Sequence, residues 1–220
     1  MHQIFQSFLK DLESHSSKGC TTERQEYHSN CWKTCKAITT AVDKLKIAEV
    51  CLDKSYYLPI EDHEVPSHIE FHIENYIIRS RSIYDRVLIF TNYLLNIQLA
   101  PSRVTHDLII TNSKVEKVKI KSKLKEINKA CGTYRDVRNE IIHQHSYENK
   151  KLEWLDVAQK AILITDGDYE KFNLSKEKLA YITADIIKSH LIEFHKNREN
   201  IEDKINNFLD SAKEIYDQRA

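Results

Sequence analysis

Apolar residues recur at alternating steps of three and four through the C-terminal third of the chain. The members of this stripe are Ala184, Ile187, Leu191, Phe194, Ile201, Ile205, Phe208, Ala212 and Ile215, and only Arg198 interrupts it. A heptad-like pattern of this length is typical of a long helix that packs lengthwise against another helix. We therefore predict one helix over residues 175–217. The pattern leaves open whether this helix packs within one protomer or across a dimer.

Earlier helices are marked by pairs of side chains at capping-box spacing, in which each side chain satisfies a backbone amide at the other residue. The pairs are Thr22 with Gln25, Ser67 with Glu70, and Ser113 with Glu116. With the apolar positions that follow them, these pairs predict helices near 23–54, 67–98 and 114–130. Pro101 is expected to close the second of these helices.

The segment around Gly132 predicts the end of one helix and the start of another. Gly132 can end the third helix in a left-handed cap, and Thr133 with Asp136 can start the next helix near residue 134. Just upstream, Lys117–Lys125 alternates between polar and apolar residues, which is typical of a strand. The cap at Ser113 and the helical spacing of the apolar residues favour a helix instead.

These patterns predict an all-α protein, an antiparallel helical bundle formed as one domain over residues 1–220. Its core is expected at roughly 22–165, with an additional N-terminal helix and a long C-terminal helix. The composition agrees, because 3 Gly and 3 Pro in 220 residues allow few tight turns. The 33 basic and 33 acidic residues balance. A zero net charge argues against non-specific coating of nucleic acid but permits a local basic patch.

The sequence carries no sign of a membrane or secreted protein. No stretch reaches the roughly 18 apolar residues that a membrane-spanning helix needs, and the start Met1–Phe5 lacks the basic and apolar regions of a secretory signal. The five cysteines are odd in number and scattered. A reduced, cytoplasmic protein is therefore expected.

One short stretch carries most of the candidate chemistry. Arg138, Asn139 and His143 fall within two turns of one predicted helix. Arginine offers a planar set of donors that matches a phosphate, and histidine can accept or donate a proton near neutral pH. Together they provide charge stabilisation and proton transfer for phosphodiester cleavage without a metal.

This stretch resembles the R-x(4–6)-H motif of the HEPN superfamily, in which a polar residue such as Asn139 often follows the arginine. The resemblance implies a small all-helical fold and an RNA endonuclease of a bacterial toxin–antitoxin or defence system. The ribose 2′-hydroxyl would attack the adjacent phosphorus, with His143 as general acid or base and Arg138 stabilising the phosphoryl charge. Asn139 would orient the imidazole or hold a phosphate oxygen. His145 also fits the spacing, and with Tyr147 it resembles a variant in which a partner nucleotidyltransferase modifies the tyrosine. We favour His143.

The helical positions of these residues predict how a complete site would form. Tyr134, Val137 and Ile141 share an apolar face, whereas Asn139 and His143 lie four residues apart on nearly the opposite face. One helix offers only half of a site. We therefore expect a homodimer in which a two-fold contact brings two copies of the motif together, as in HEPN ribonucleases.

Weaker candidates surround the motif. Lys119, Lys121 and Lys123 belong to a lysine-rich run that is either an RNA-binding surface or a solvated helix face. Asp85, within a charged cluster of the second helix, resembles a polar residue that HEPN proteins often place near the motif, although a structural salt bridge is the favoured role.

No cofactor or metal is expected. Neither His68 with Glu70 and His72, nor His28 with Cys31 and Cys35, makes a convincing ligand set, and Gly-rich phosphate-binding loops are absent. Besides the ribonuclease, two readings stay open. One is a non-catalytic HEPN-like module that binds a nucleotide or a protein partner, and the other is a helical scaffold without a site. For the ribonuclease, the resemblance implies an antitoxin or a nucleotidyltransferase as partner.

Overall fold

The computed structural model describes residues 2–17, 22–57 and 61–219. Within these ranges regular structure is helical throughout and no strand forms, which confirms the predicted all-α class. The α-helices are α1 (Ile4–Ser17), α2 (Thr22–Lys54), α3 (Val65–Leu94), α4 (His106–Ile110), α5 (Ser113–Lys117), α6 (Lys121–Cys131), α7 (Arg135–His143), α8 (Lys150–Ile164) and α9 (Lys176–Asp217). Short 3-10 helices occupy Ser55–Tyr57, Asp62–Glu64, Pro101–Arg103 and Glu170–Phe172.

The chain forms two compact units. The first comprises Met1–Asp43, Ser80–Thr133 and Glu199–Ala220, and the second comprises Lys44–Arg79 and Tyr134–Arg198. The three long helices α2, α3 and α9 each contribute residues to both units.

An aromatic core holds the first unit together. The rings of Phe8 and Tyr216 meet edge to face with their centroids 4.6 Å apart, and the Tyr216 hydroxyl is hydrogen-bonded to the buried His28 ring. Cys31 and Cys35 are fully buried, and burial raises the pKa of each thiol to about 12. Both cysteines therefore stay protonated core residues rather than thiolate ligands.

The core of the second unit is built around two stacked rings. Tyr76 of α3 and Phe194 of α9 lie face to face with centroids 3.9 Å apart, and the Tyr76 hydroxyl donates to the Phe194 carbonyl at 2.7 Å. Tyr134 packs edge-on against both rings. Tyr134 is the residue directly before α7, so this cluster anchors the start of that helix.

Helix α9 confirms the long helix predicted from the apolar stripe, but two residues of the stripe are not buried. Ile187, Phe194, Ile201 and the stripe residues after them are buried, but Ala184 is exposed and Leu191 only half-buried. Arg198, which interrupts the stripe, is also buried. Its Nε donates to Glu49 Oε1 at 2.7 Å and its Nη2 lies 2.8 Å from His195 Nδ1.

Several predicted helix ends are wrong. Helix α3 begins at Val65, so Ser67 is inside it rather than its cap. The same helix ends at Leu94, well before Pro101, because the Asn92 side chain bonds to both backbone groups of Leu99 and holds the chain in a turn. The predicted cap at Thr22 involves a side chain outside the described residues.

The predicted helix over 114–130 is in fact two helices. Lys119 takes a left-handed backbone conformation, with φ of 59°, and separates α5 from α6. Asn112 rather than Ser113 caps α5, accepting from the Lys114 amide at 2.9 Å. The helical assignment of this segment is confirmed, and the strand alternative is excluded.

The end of α6 also differs from the expectation. Gly132 has φ of −96° and is not a left-handed cap. Thr133 does not cap α7 either, because Tyr134 occupies the N-cap position of this helix. The Thr133 hydroxyl donates back to the Ala130 carbonyl at 2.9 Å. No residue of α7 is fully buried, so this helix lies on the surface of its unit.

Candidate functional site

Helix α7 presents the motif residues to solvent. Asn139 and His143 are exposed, whereas Arg138, Val137 and Ile141 are half-buried. The Arg138 Nη1 donates to Asn139 Oδ1 at 3.2 Å, so the amide helps to orient the guanidinium. The Arg138 Nε is buried and has no hydrogen-bond partner among the described residues. An oxyanion would therefore have to be bound by the two terminal guanidinium nitrogens, Nη1 and Nη2.

The chain leaves the helix between the two candidate histidines. His143 is the last residue of α7, and the amides of Gln144 and His145 both donate to the Glu140 carbonyl, at 2.8 and 3.0 Å. This shared acceptor ends the helix and turns the chain away from its axis. His143 therefore keeps the one-turn spacing from Asn139, and His145 does not.

His145 instead lines a cleft of about 650 Å³ in the second unit. Four of the residues that line this cleft are acidic, namely Glu70, Glu148, Glu153 and Asp156, and Lys160 is the one lysine among them. The Lys160 ammonium pairs with Asp156 at 2.7 Å. Burial raises the pKa of Glu70, and the nearby charges of Glu74 and Asp156 raise it further. A cleft with this charge repels a phosphate backbone.

A comparison with family models identifies the chain. Residues 47–215, well over half of the 220-residue chain, match a family model described as Cthe2314-like HEPN. The chain belongs to the HEPN family. The matched region includes all of α7, the helix that carries the motif (the motif helix), and it confirms the resemblance to the HEPN superfamily. No curated protein and no solved structure matches the chain.

Tyr147 of this HEPN protein is held by hydrogen bonds to two side chains. Its amide donates to Glu74 Oε1 at 2.9 Å, and its hydroxyl lies 2.9 Å from His190 Nε2. The His190 Nδ1 is 2.7 Å from the Ile186 carbonyl, which can only accept, so Nδ1 carries the proton and Nε2 accepts from the Tyr147 hydroxyl. Burial, aided by the charge of Glu193, raises the pKa of Tyr147. Tyr147 is therefore fixed to α3 through its amide and to α9 through its hydroxyl.

The remaining candidates belong to the first unit, whereas the motif helix, His145 and Tyr147 belong to the second. Asp85 is exposed and forms no ion pair within the described residues, so the expected structural salt bridge is wrong. Lys119 is exposed and Lys121 half-buried. The Lys123 ammonium donates to the Asn207 carbonyl at 2.7 Å and to Ser211 Oγ at 2.6 Å, so it has a structural role.

Among the described residues no group of three or more His, Cys, Asp or Glu side chains is placed to hold a metal ion. The rings of His68 and His72 contact each other with centroids 4.6 Å apart, and His68 Nδ1 lies 3.2 Å from Ser55 Oγ. No helix in the described part of the chain is long and apolar enough to cross a membrane.

Sequence reasoning missed the residues that surround Tyr147. Glu74 and His190 lie 73 and 43 positions away along the chain. The one available signal was His190 itself, a polar residue four positions before Phe194 on the apolar stripe of α9. A polar residue on a buried helix face generally has a hydrogen-bond partner.

Proposed function

We propose that this HEPN protein is a metal-independent RNA endonuclease that acts as a homodimer. The observation that carries the proposal is the surface of α7, where exposed Asn139 and His143 stand one turn apart and Asn139 is bonded to the Arg138 guanidinium. These groups match the needs of phosphodiester cleavage, namely proton transfer and stabilisation of a charged phosphoryl group.

In the proposed reaction His143 takes the proton from a ribose 2′-hydroxyl, whose oxygen attacks the adjacent phosphorus. The bond from phosphorus to the 5′-oxygen breaks, and that oxygen receives a proton from the partner's His143. The products are a 2′,3′-cyclic phosphate and a 5′-hydroxyl. Arg138 stabilises the charge on the non-bridging oxygens, and Asn139 orients Arg138 and the phosphate.

His143 is preferred to His145 on electrostatic grounds. The cleft beside His145 has four carboxylates and one lysine that is already paired. An RNA backbone would be repelled there. His143 lies outside this lining and shares the exposed face of α7 with Asn139.

The test is incubation of total cellular RNA with purified protein, with and without EDTA. Cleavage that persists in EDTA and leaves 2′,3′-cyclic phosphate ends is expected, because Arg138 supplies the charge that a metal would otherwise provide. Intact RNA after incubation with the wild-type protein, or cleavage that needs an added divalent ion, would contradict the mechanism.

A second function is a non-catalytic HEPN module that binds a protein partner. The acidic cleft favours it, since a cavity of this volume and charge suits a basic segment of a polypeptide. Absence of cleavage together with a stable complex with such a segment would make this the better assignment. The role as toxin or defence effector, and any antitoxin, rest on the family resemblance.

A further inference from the structure

Exposed apolar side chains are unevenly distributed between the two units. Among the described residues, Leu9 and Leu108 are the exposed large hydrophobic residues of the first unit, and all the others belong to the second. Helix α8 carries more of them than any other helix of the described chain, namely Trp154, Val157, Leu163 and Ile164. Single exposed apolar residues are ordinary, whereas a group on one short helix marks a candidate contact surface.

Three of these residues form a stripe along one face of α8 together with the half-buried Ala161. The stripe consists of Trp154, Val157, Ala161 and Ile164, at steps of three, four and three, and we call it the α8 stripe. At about 100° per residue, its side chains fall within a sector of about 80°. Val157 is 65 % exposed and Ile164 is 82 % exposed, so most of this surface lies in solvent.

The face of α8 opposite the stripe already packs into the core of the unit. Its buried residues are Leu152, Leu155, Ala158, Gln159 and Ile162. A surface helix of a globular protein needs only one apolar face, and a helix that is apolar on opposite sides is typically covered on both. The α8 stripe is therefore a packing surface without a neighbour in the described part of the chain.

The charges beside the stripe match a second copy of the same helix. Glu153 and Lys160 lie on the same edge of the stripe, about 20° apart around the helix. When two α8 helices pack antiparallel about a two-fold axis at Val157, residues of the same edge face each other. Glu153 of one copy then lies opposite Lys160 of the other, within about one residue of rise, and the symmetry forms this pair twice.

The sizes of the stripe residues match in the same antiparallel register. The large ring of Trp154 lies opposite the methyl group of Ala161, and the alkyl stem of Lys150 can cover Ile164. Val157 meets its own copy at the axis. A parallel contact would instead place Glu153 and Lys160 against the apolar edge formed by Trp154 and Ala161, and both charges would lack a partner. Charge and size thus favour the antiparallel contact.

Neighbouring groups leave this surface accessible. The Lys160 ammonium pairs with Asp156 of its own helix at 2.7 Å, yet 57 % of the Lys160 side chain is exposed. An ammonium has three donors and can bond a second carboxylate across the contact. Beyond the other edge of the stripe, Lys151 pairs with Asp185 of α9 at 2.7 Å. The exposed Tyr181 of α9 interacts electrostatically with the same ammonium and extends the apolar surface.

We infer that the α8 stripe binds the α8 stripe of a second copy of this chain, antiparallel and about a two-fold axis at Val157. The contact buries two apolar faces that the monomer leaves in solvent and pairs Glu153 with Lys160 on both sides of the axis. The inference names the surface through which the proposed dimer forms, so it rests on the dimeric part of the proposed function and not on the cleavage reaction.

The first experiment places a cysteine at the axis. In full-length Val157→Cys protein, the thiol oxidant diamide should join two chains by a disulfide, because equivalent Cα atoms of packed helices lie within the roughly 7 Å that a disulfide spans. Leu163→Cys is the matched control, since Leu163 is exposed on the same helix about 120° away. Wild-type protein, with its five cysteines, gives the background. No covalent dimer above this background, or an equal yield from Leu163→Cys, would overturn the inference.

A charged residue at the axis should separate the copies. Val157→Glu brings two carboxylates together in the contact and should raise the Kd of dimerisation about tenfold or more, as measured by analytical ultracentrifugation. Leu163→Glu adds the same charge on another exposed face of α8 and should dimerise as the wild type does. Thermal melting establishes that both variants are folded. Wild-type dimerisation of folded Val157→Glu would exclude this surface.

Charge reversal tests the antiparallel register. Glu153→Lys and Lys160→Glu each place like charges opposite each other, so each variant alone should dimerise about tenfold more weakly than the wild type. In an equal mixture the pairs across the contact regain opposite signs, so mixed dimers should form with about wild-type affinity. The control is each variant alone at the same total concentration. A mixture that dimerises no better than its components would overturn the antiparallel contact.

Failure of this inference and failure of the proposed ribonuclease give different results. A wild-type dimer that Val157→Glu leaves intact would overturn the α8 contact and leave a dimeric ribonuclease possible through another surface. A Val157→Cys dimer that forms as expected, from a protein whose wild-type form leaves RNA intact, would support the contact and contradict the cleavage. Monomeric wild-type protein at micromolar concentration would overturn the contact and the proposed dimer together.

Discussion

At the scale of single residues, the two histidines near the motif differ in their surroundings more than in their chemistry. His143 is the last residue of α7 and is exposed, whereas His145, two residues later, lines an acidic cleft. His143 is better placed to contact RNA, because the carboxylates around His145 repel the phosphate backbone.

Replacement of the motif side chains should therefore separate activity from folding. Arg138→Ala and His143→Ala should each lower RNA cleavage by about 100-fold or more, while the free energy of unfolding changes by about 0.5 kcal/mol or less at these positions. His145→Ala is the matched control and should retain cleavage. Denaturant melts and a gel-based cleavage assay measure both quantities, and the opposite outcome for the two histidines would assign the six-residue spacing instead.

The raised pKa of Glu70 leads us to expect that the stability of the fold depends on pH. Its pKa is raised by burial and by Glu74 and Asp156, so the folded state binds a proton more readily than the unfolded state. Above the raised pKa the charged carboxylate destabilises the fold, and this cost disappears below the ordinary glutamate value of about 4.3. Glu70→Gln should thus stabilise the protein at pH 7 by less than about 1 kcal/mol, after allowing for solvent screening.

The comparison should be made by denaturant unfolding at pH 7 and near pH 4. The difference between Glu70→Gln and wild type should shrink as the pH falls, since glutamine mimics the protonated acid. A constant difference across this range would mean that the carboxylate charge is not its cause.

At the scale of secondary-structure elements, α9 is held in the second unit by a buried ion pair. Arg198 and Glu49 are 6 % and 8 % exposed, and their Nε and Oε1 atoms are 2.7 Å apart. An isolated buried charge is far more costly than a satisfied pair. The polar interruption of the apolar stripe is therefore tolerated because α2 supplies the matching carboxylate.

Loss of one partner should be worse than loss of both. Glu49→Leu should lower the free energy of unfolding by on the order of 3 kcal/mol, because it leaves the arginine charge without its carboxylate. The double variant Glu49→Leu with Arg198→Leu should recover most of that loss. Urea melts of the single and double variants form a double-mutant cycle. If the double variant is destabilised as much as Glu49→Leu alone, packing rather than charge dominates at this position.

The other elements differ from their sequence-based predictions at their ends. Capping pairs locate helix starts within a few residues, but the observed starts follow competing contacts. Asn112 caps α5 where Ser113 was expected, and Asn92 ends α3 by bonding to Leu99. Both contacts are hydrogen bonds from a side chain to nearby backbone groups, and several neighbouring residues could have made them. The sequence pattern alone therefore does not show which residue ends or caps the helix.

At the scale of the whole molecule, the proposed activity needs a second copy of the chain. One α7 supplies one imidazole and one guanidinium, whereas the reaction needs a proton acceptor and a proton donor together. A two-fold contact doubles these groups with no change in sequence. Light scattering should give twice the chain mass of 25.9 kDa at micromolar concentration.

A mixing experiment tests whether the site is shared. Because the proposed reaction uses His143 of both copies, mixed dimers of wild-type and His143→Ala chains should be inactive, and an equal mixture should keep about a quarter of the activity of wild-type protein at the same total concentration. The control is wild-type protein diluted twofold with buffer, which should keep about half of that activity. A monomer at micromolar concentration, or retention of about half of the activity in a mixture that forms mixed dimers, would remove the composite site.

The sequence by itself determined the helical class, the family and the spacing of the motif. Each depends on short-range regularities: the three- and four-residue steps of the α9 stripe, the scarcity of Gly and Pro, and the order of Arg138, Asn139 and His143 within two turns. A helix repeats every 3.6 residues, so such local order predicts which side chains share a face.

Tertiary structure decided what surrounds those side chains. The acidic cleft beside His145, the hydrogen bond from Tyr147 to His190 and the Glu49–Arg198 pair all bring together residues that are far apart in the sequence. The chain order carries no signal for such contacts, because they depend on how the helices pack and on which polar groups packing leaves in reach of each other. That is why the motif could be located from the sequence, while the electrostatic distinction between its two histidines required the fold.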